Sequence, residues 1–327
     1  MNRPLAATSP SCDPALLNGI GWSVRWQDRA RSVEFAETAV EVSKDDTSSR
    51  ARAQLGRALL TLAWQAKWRG DFSHSMTLAL DVERYLGEAQ FPDERAHTYS
   101  VLGVLHYSRG RLDLATNAVD RGALLADEAR DISAYVDLLT TRATIMRYKG
   151  DGGRAGLLLG RAEEVSARED AARVQQNVAR WLIEDGAAEQ AAERAEQSLA
   201  LAKEHRCRVI EPYSYEVLGA CQTILGDLDG AEKSFATALQ IANEDQDVRA
   251  QCQILRAHSA MERKRGNVDA ALELCRKGAE KACSLGYTLW RQRFARECAE
   301  LFEARGDLKA ALEEHKVAWA LVDKLRS

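Results

Sequence analysis

Proline is scarce in this chain, and paired cysteine motifs, a basic excess and long apolar runs are missing. Of the five prolines in 327 residues, Pro4, Pro10 and Pro14 crowd the first fourteen, leaving Pro92 and Pro212 for the rest. So few breakers argue against many short strands and for long helices. No stretch approaches the roughly 18 consecutive apolar residues of a membrane-spanning helix. The start, MNRPLAATSPSCDP, has no apolar core of the kind a secretory signal needs, so residues 1–11 read as a flexible N-terminus. The seven cysteines (Cys12, Cys207, Cys221, Cys252, Cys275, Cys283, Cys298) are odd in number and none form C-x-x-C. That excludes a disulfide framework and points to a reducing cytoplasm. Forty-five basic against forty-nine acidic residues give a net charge of -4, which disfavours nucleic acid as the main partner.

Signatures of catalysis are also absent. There is no phosphate-binding G-x-x-x-x-G-K-[ST], no H-E-x-x-H and no G-x-S-x-G. Gly150-Asp151-Gly152-Gly153-Arg154-Ala155 satisfies G-x-G-x-x-A, but a dinucleotide site needs a preceding strand, and these glycines fall at a turn between helices. The six histidines show no metal-ligand spacing. No cofactor, no metal and no enzymatic activity are expected.

What is present is a repeat. Gly70, Gly110, Gly150, Gly186, Gly226, Gly266 and Gly306 recur at spacings of 40, 40, 36, 40, 40 and 40. Five residues after each stand Ser75, Ala115, Ala155, Ala191, Ala231, Ala271 and Ala311. Twelve after stand Val82, Gly122, Ala162, Ser198, Ala238, Gly278 and Ala318. Small residues at helical spacing mark close approach of helices, and the glycine supplies the left-handed turn between them. Each unit therefore reads as helix, glycine turn, helix, with Pro92 and Pro212 at the start of first helices. Eight units and about sixteen helices follow, the first of them (residues 12–45) without a turn glycine.

The unit from Ser214 to Glu244, with Leu218-Gly219, Gly226-Asp227, Ala231, Phe235 and Ala238, resembles a tetratricopeptide repeat, here in a form longer than the usual 34 residues. The resemblance implies an all-α fold, an α-α superhelix forming a single solenoid domain over residues 12–326. It also implies a ligand groove on the first helix of each unit. Carried onto this sequence, that groove is lined by Arg57, Trp64, Lys67, Trp68, His97, Tyr107, Arg147, Tyr148, Arg173, Gln176, Arg180, Tyr213, Arg256 and Arg293. Glu184, Ala260, Arg263, Arg296 and Glu300 fall on the same register. The thirty-five positions so marked hold ten Lys or Arg against five Asp or Glu, a positive face on a negative protein. Arginine with aromatics suits an acidic or extended peptide or protein partner.

Trp22 to Arg31, WSVRWQDRAR, is similar to the starts of long-repeat arrays that precede output domains in bacterial signalling proteins, notably GGDEF-type diguanylate cyclases. A non-catalytic sensor or scaffold in signal transduction is therefore the leading expectation. A free-standing adaptor and a peptide-sensing regulator are the alternatives, and an enzyme ranks last. Near the C-terminus, Leu308, Leu312, His315, Trp319 and Val322 are spaced 4, 3, 4 and 3, a short heptad seam. It is expected either to pack on its own unit or to mediate self-association or docking of a following domain.

Overall fold

The computed structural model describes residues 13–87, 91–167, 169–284 and 286–326; the first eleven residues, expected to be flexible, lie outside that range. The described residues form sixteen helices and no strand. They come as eight consecutive pairs. The first four are α1 (Pro14–Ser23) with α2 (Arg29–Ser43), α3 (Ser49–Arg69) with α4 (Phe72–Leu86), α5 (Pro92–Ser108) with α6 (Leu112–Ala129), and α7 (Ile132–Tyr148) with α8 (Gly152–Val165). The others are α9 (Glu169–Glu184) with α10 (Ala188–Glu204), α11 (Glu211–Leu225) with α12 (Leu228–Glu244), α13 (Val248–Arg265) with α14 (Val268–Ser284), and α15 (Thr288–Arg305) with α16 (Leu308–Arg326).

The turn chemistry follows from the sequence. All seven repeat glycines have positive φ, from 75° at Gly110 to 93° at Gly226, a conformation that a Cβ disfavours. The next residue then caps the following helix. Asp71, Asp151, Asp227 and Asp307 each accept a hydrogen bond from a backbone N–H three residues on, at 2.9–3.1 Å. A Gly-Asp pair therefore ends one helix and starts the next, satisfying orphan backbone groups on both. Pro92 opens α5 and Pro212 lies in the first turn of α11, where a missing N–H does no harm.

The small residues of the repeat are the core. Ser75, Ala115, Ala155, Ala191, Ala231, Ala271 and Ala311 are all buried, as are Val82, Gly122, Ala162, Ser198, Ala238, Gly278 and Ala318. Gly219 shows why size is restricted there. A Cβ on it would lie 2.8 Å from the Phe235 ring, so the ring lies flush on α11 only because that position is bare. The other face of Phe235 stacks on His258 of α13, with ring centres 5.4 Å apart. Helices of 10–21 residues are marginal in isolation, so this packing between and within pairs is what holds them.

The chain divides into two compact units. Met1–Leu105 with Asp113–Val165 make one; His106–Leu112 with Ser166–Ser327 make the other. Among the described residues no helix is long and apolar enough to cross a membrane.

Candidate functional site

In the first unit four of the expected groove positions are filled by the protein itself. Trp64 is only 1 % exposed, and Lys67, Trp68 and His97 are also buried. The end of α1 and the turn after it supply the cover. Trp26 meets Trp64 edge-on at 4.6 Å and Trp68 at 5.5 Å, and Trp22 meets Trp64 at 6.3 Å and His97 at 4.8 Å. The Arg25 guanidinium sits 4.3 Å from the Trp22 ring centre, and the Lys67 ammonium 5.1 Å from that of Trp68. Edge-on aromatic pairs and cation–π contacts of this kind are each worth about 0.5–1.5 kcal/mol beyond burial. The expectation that Trp64, Lys67, Trp68 and His97 face a ligand is therefore corrected: Trp22, Arg25 and Trp26 occupy that space. His97 Nε2 is 3.0 Å from Asp131. Burial disfavours the Asp131 carboxylate, but His97 and the α7 backbone outweigh it and hold the group below the ordinary carboxylate range.

Arg57 also has an internal partner. It pairs with Glu94 and lies over the Phe91 ring at 5.2 Å. Burial, reinforced by Asp93, pushes Glu94 up to about 7 against the opposing pull of Arg57. Tyr148 is exposed, and Arg147 and Tyr107 are half-buried.

In the second unit, four of the expected groove residues likewise face protein groups. Arg173 is buried and pairs with Asp170 at 3.2 Å. Gln176 is buried, and Arg180 pairs with Glu216. Tyr213 is buried and donates its hydroxyl to Asp247 at 3.0 Å. These four order the stack of helices, and the charged ones were legible as charges but not as pairs.

Arg256 and Arg293 differ. Together with Ser259, Ala260, Arg263, Arg296, Glu297, Glu300, Leu301 and Glu184 they line a cavity of about 370 Å³. Its walls come from α13 and α15, with Glu184 from the end of α9. Arg256 bonds Glu297 at 3.1 Å and Arg263 bonds Glu300 at 3.2 Å. Arg293 lies over the Trp290 ring at 5.1 Å. Arg296 is exposed and makes no ion pair or hydrogen bond among the described residues. Burial holds Glu297 above the ordinary range, partly countered by Arg256. Four arginines against three glutamates leave the cavity with a positive excess and one guanidinium whose fork of donors is available.

Seven of the ten lining residues, namely Glu184, Arg256, Ala260, Arg263, Arg293, Arg296 and Glu300, fall on the register read from the turn glycines. Ser259, Glu297 and Leu301 do not. They lie next to register positions along the helix, and only the rotation of the helices brings them to the cavity.

No metal cluster occurs among the described residues. The six described cysteines are free. Burial pushes Cys221 and Cys252 up to about 12, which keeps them protonated and inert.

No family model matches this chain, and no curated protein matches it. Solved structures do. The Rap conjugation gene regulator of plasmid pLS20, in complex with the Phr* peptide, superposes with a TM-score of 0.68 at 11% identity, over 96% of this chain and 95% of that one. A Rap protein complexed with competence and sporulation factor gives 0.67 at 13%, over 97% and 99%. A signal transduction ATPase with a tetratricopeptide repeat sensor from Pyrococcus horikoshii gives 0.50 at 16%, over 96% and 49%. At such identities the likeness establishes the fold: an all-α, tetratricopeptide-like helical repeat.

Proposed function

We propose that this chain is a non-catalytic, peptide- or protein-binding repeat module, and that the cavity between α13 and α15 holds a carboxylate-bearing segment of its partner. The observation that carries the reading is the cavity's lining, above all Arg296, exposed and without an ion pair or hydrogen bond among the described residues, beside three other arginines. A guanidinium matches a carboxylate with two parallel hydrogen bonds, which gives both energy and orientation. The glutamates restrain the neighbouring arginines, so the ligand meets donors already aimed. Two structural neighbours were solved with a bound peptide or factor, which favours a peptide over a small metabolite and supports the peptide-sensing reading alongside the scaffold one. Free cysteines among the described residues support a reducing, cytoplasmic setting.

A place in bacterial signalling belongs to the same proposal. The Trp22–Arg31 motif supports shared architecture with signalling arrays more than a shared output domain, since Trp22, Arg25 and Trp26 are used in packing.

The test is a fluorescence-anisotropy titration with labelled peptides of matched length carrying acidic, neutral or basic side chains. Acidic peptides are expected to bind best, and to weaken as salt rises because exposed guanidinium–carboxylate attraction is screened. Equal binding of all three, or preference for the basic peptide, rejects the proposal.

A further inference from the structure

Glu297 lines the cavity with its two carboxyl oxygens in different company. Oε1 accepts from Arg256 Nη1 at 3.1 Å. Oε2 faces the Cys275 sulfur of α14 at 3.7 Å. The protons around that sulfur can be counted. Ser259 donates its hydroxyl to the Ala271 carbonyl at 2.9 Å, and a serine has one proton to give. At its 3.1 Å contact with Cys275, Ser259 is therefore the acceptor and the thiol the donor. A thiol also has one proton. That proton is taken at the shorter contact, so the sulfur turns lone pairs toward Oε2. An ionised carboxylate has only lone pairs to offer in return, whereas a proton on Oε2 completes the contact. Cys298, also bonded to that sulfur, has an S–H of its own to donate.

We propose that Glu297 is a proton-linked gate on this cavity: protonated, it keeps Arg256 aimed while leaving that guanidinium's charge to the ligand, so a proton and an anionic segment bind together. The inference rests on the reading of the cavity as a carboxylate site. With the proton on Oε2, Oε1 still accepts from Arg256, so the direction of the guanidinium survives while the negative charge of Glu297 is gone. The lining then changes from four arginines against three glutamates to four against two. Arg256 also keeps a buried Nε that no group among the described residues accepts from. Burial favours the protonated carboxyl, with Glu300 adding to it and Arg256 and the Cys275 contact opposing. Around Glu297, Arg256 comes from α13 and Cys275 from α14, Arg293, Arg296 and Glu300 share α15, and Glu184 lines the cavity from the end of α9. No charge of α16 is among the leading influences on it. An anion that prefers the protonated form raises the proton affinity of Glu297 by the same factor as the proton raises the affinity for the anion.

Isothermal titration of an acidic peptide, in two buffers of different ionisation enthalpy at about pH 5.5 and about pH 8, tests this. The wild-type chain should bind several-fold tighter at the lower pH and take up a fraction of a proton on binding. Glu297→Gln keeps a carbonyl for Arg256 and an N–H for the Cys275 sulfur. It should bind at both pH values as tightly as the wild type does in acid, with no proton uptake. The same variant subtracts any titration of the peptide's own carboxylates. Glu300→Gln removes the same charge from the exposed partner of Arg263 and should tighten binding at both pH values without flattening the difference between them. Binding without proton uptake, or uptake that Glu297→Gln leaves in place, overturns the gate and leaves the carboxylate site standing. No binding by either chain at either pH overturns the carboxylate reading and the gate with it.

Discussion

Glu94 shows how burial and charge compete at one residue. Its carboxyl pairs with Arg57, yet burial and neighbouring Asp93 push it up to about 7. In the unfolded chain a glutamate titrates near 4.3. Between these values the folded state binds the extra proton, so this group's contribution to stability is present in mild acid and is lost as pH rises through about 7. Chemical denaturation of the wild-type chain should therefore show a downward slope of stability between about pH 5 and pH 8 that Glu94→Gln flattens. An unchanged slope in the variant would show that Glu94 titrates as an ordinary exposed carboxylate. The tryptophans carry a second lesson at this scale. Trp64 and Trp68 were legible as first-helix residues, and their spacing was read toward a ligand. That Trp22 and Trp26 would cover them was not legible, because those residues lie some forty positions earlier and only folding brings them together.

Among elements, the ends of three second helices, α6, α10 and α12, are less well suited to their backbone than the ends of the first helices. The repeat turns use glycine at positive φ. After the second helices, Arg130, Arg206 and Gln246 adopt φ of 52–56° with a side chain attached. A left-handed residue with a Cβ costs about 1 kcal/mol. Gln246 is exposed, and its backbone N–H reaches the Asn243 carbonyl at 3.1 Å, a bond that glycine can also make. Gln246→Gly should therefore raise stability by about 0.5–1 kcal/mol in a urea melt. Destabilisation would mean that the side chain does more at that turn than the backbone requires. Helix boundaries, turns and core-facing alanines were all legible, because each depends on residues close in sequence. The left-handed ends of α6, α10 and α12 were not, since Arg130, Arg206 and Gln246 are of ordinary type and carry no conformational signature.

Across the whole chain, the repeat register located the cavity better than residue type did. Arginine and tyrosine were read as binding residues in the seven units that carry a turn glycine. In three of them a carboxylate from the same unit or the next holds the residue, as Glu94 holds Arg57, Glu216 holds Arg180 and Asp247 holds Tyr213. A sequence displays such charges without showing their pairing. In α13 and α15 the same register puts Arg256, Arg263, Arg293 and Arg296 around one space, where pairing is incomplete. We propose that this space recognises a carboxylate on a peptide. The most direct test is isothermal titration of an acidic peptide into the wild-type chain and into Arg293→Glu with Arg296→Glu, with folding checked by circular dichroism. The double variant should lose about tenfold or more in affinity. Unchanged affinity in a folded variant would contradict it.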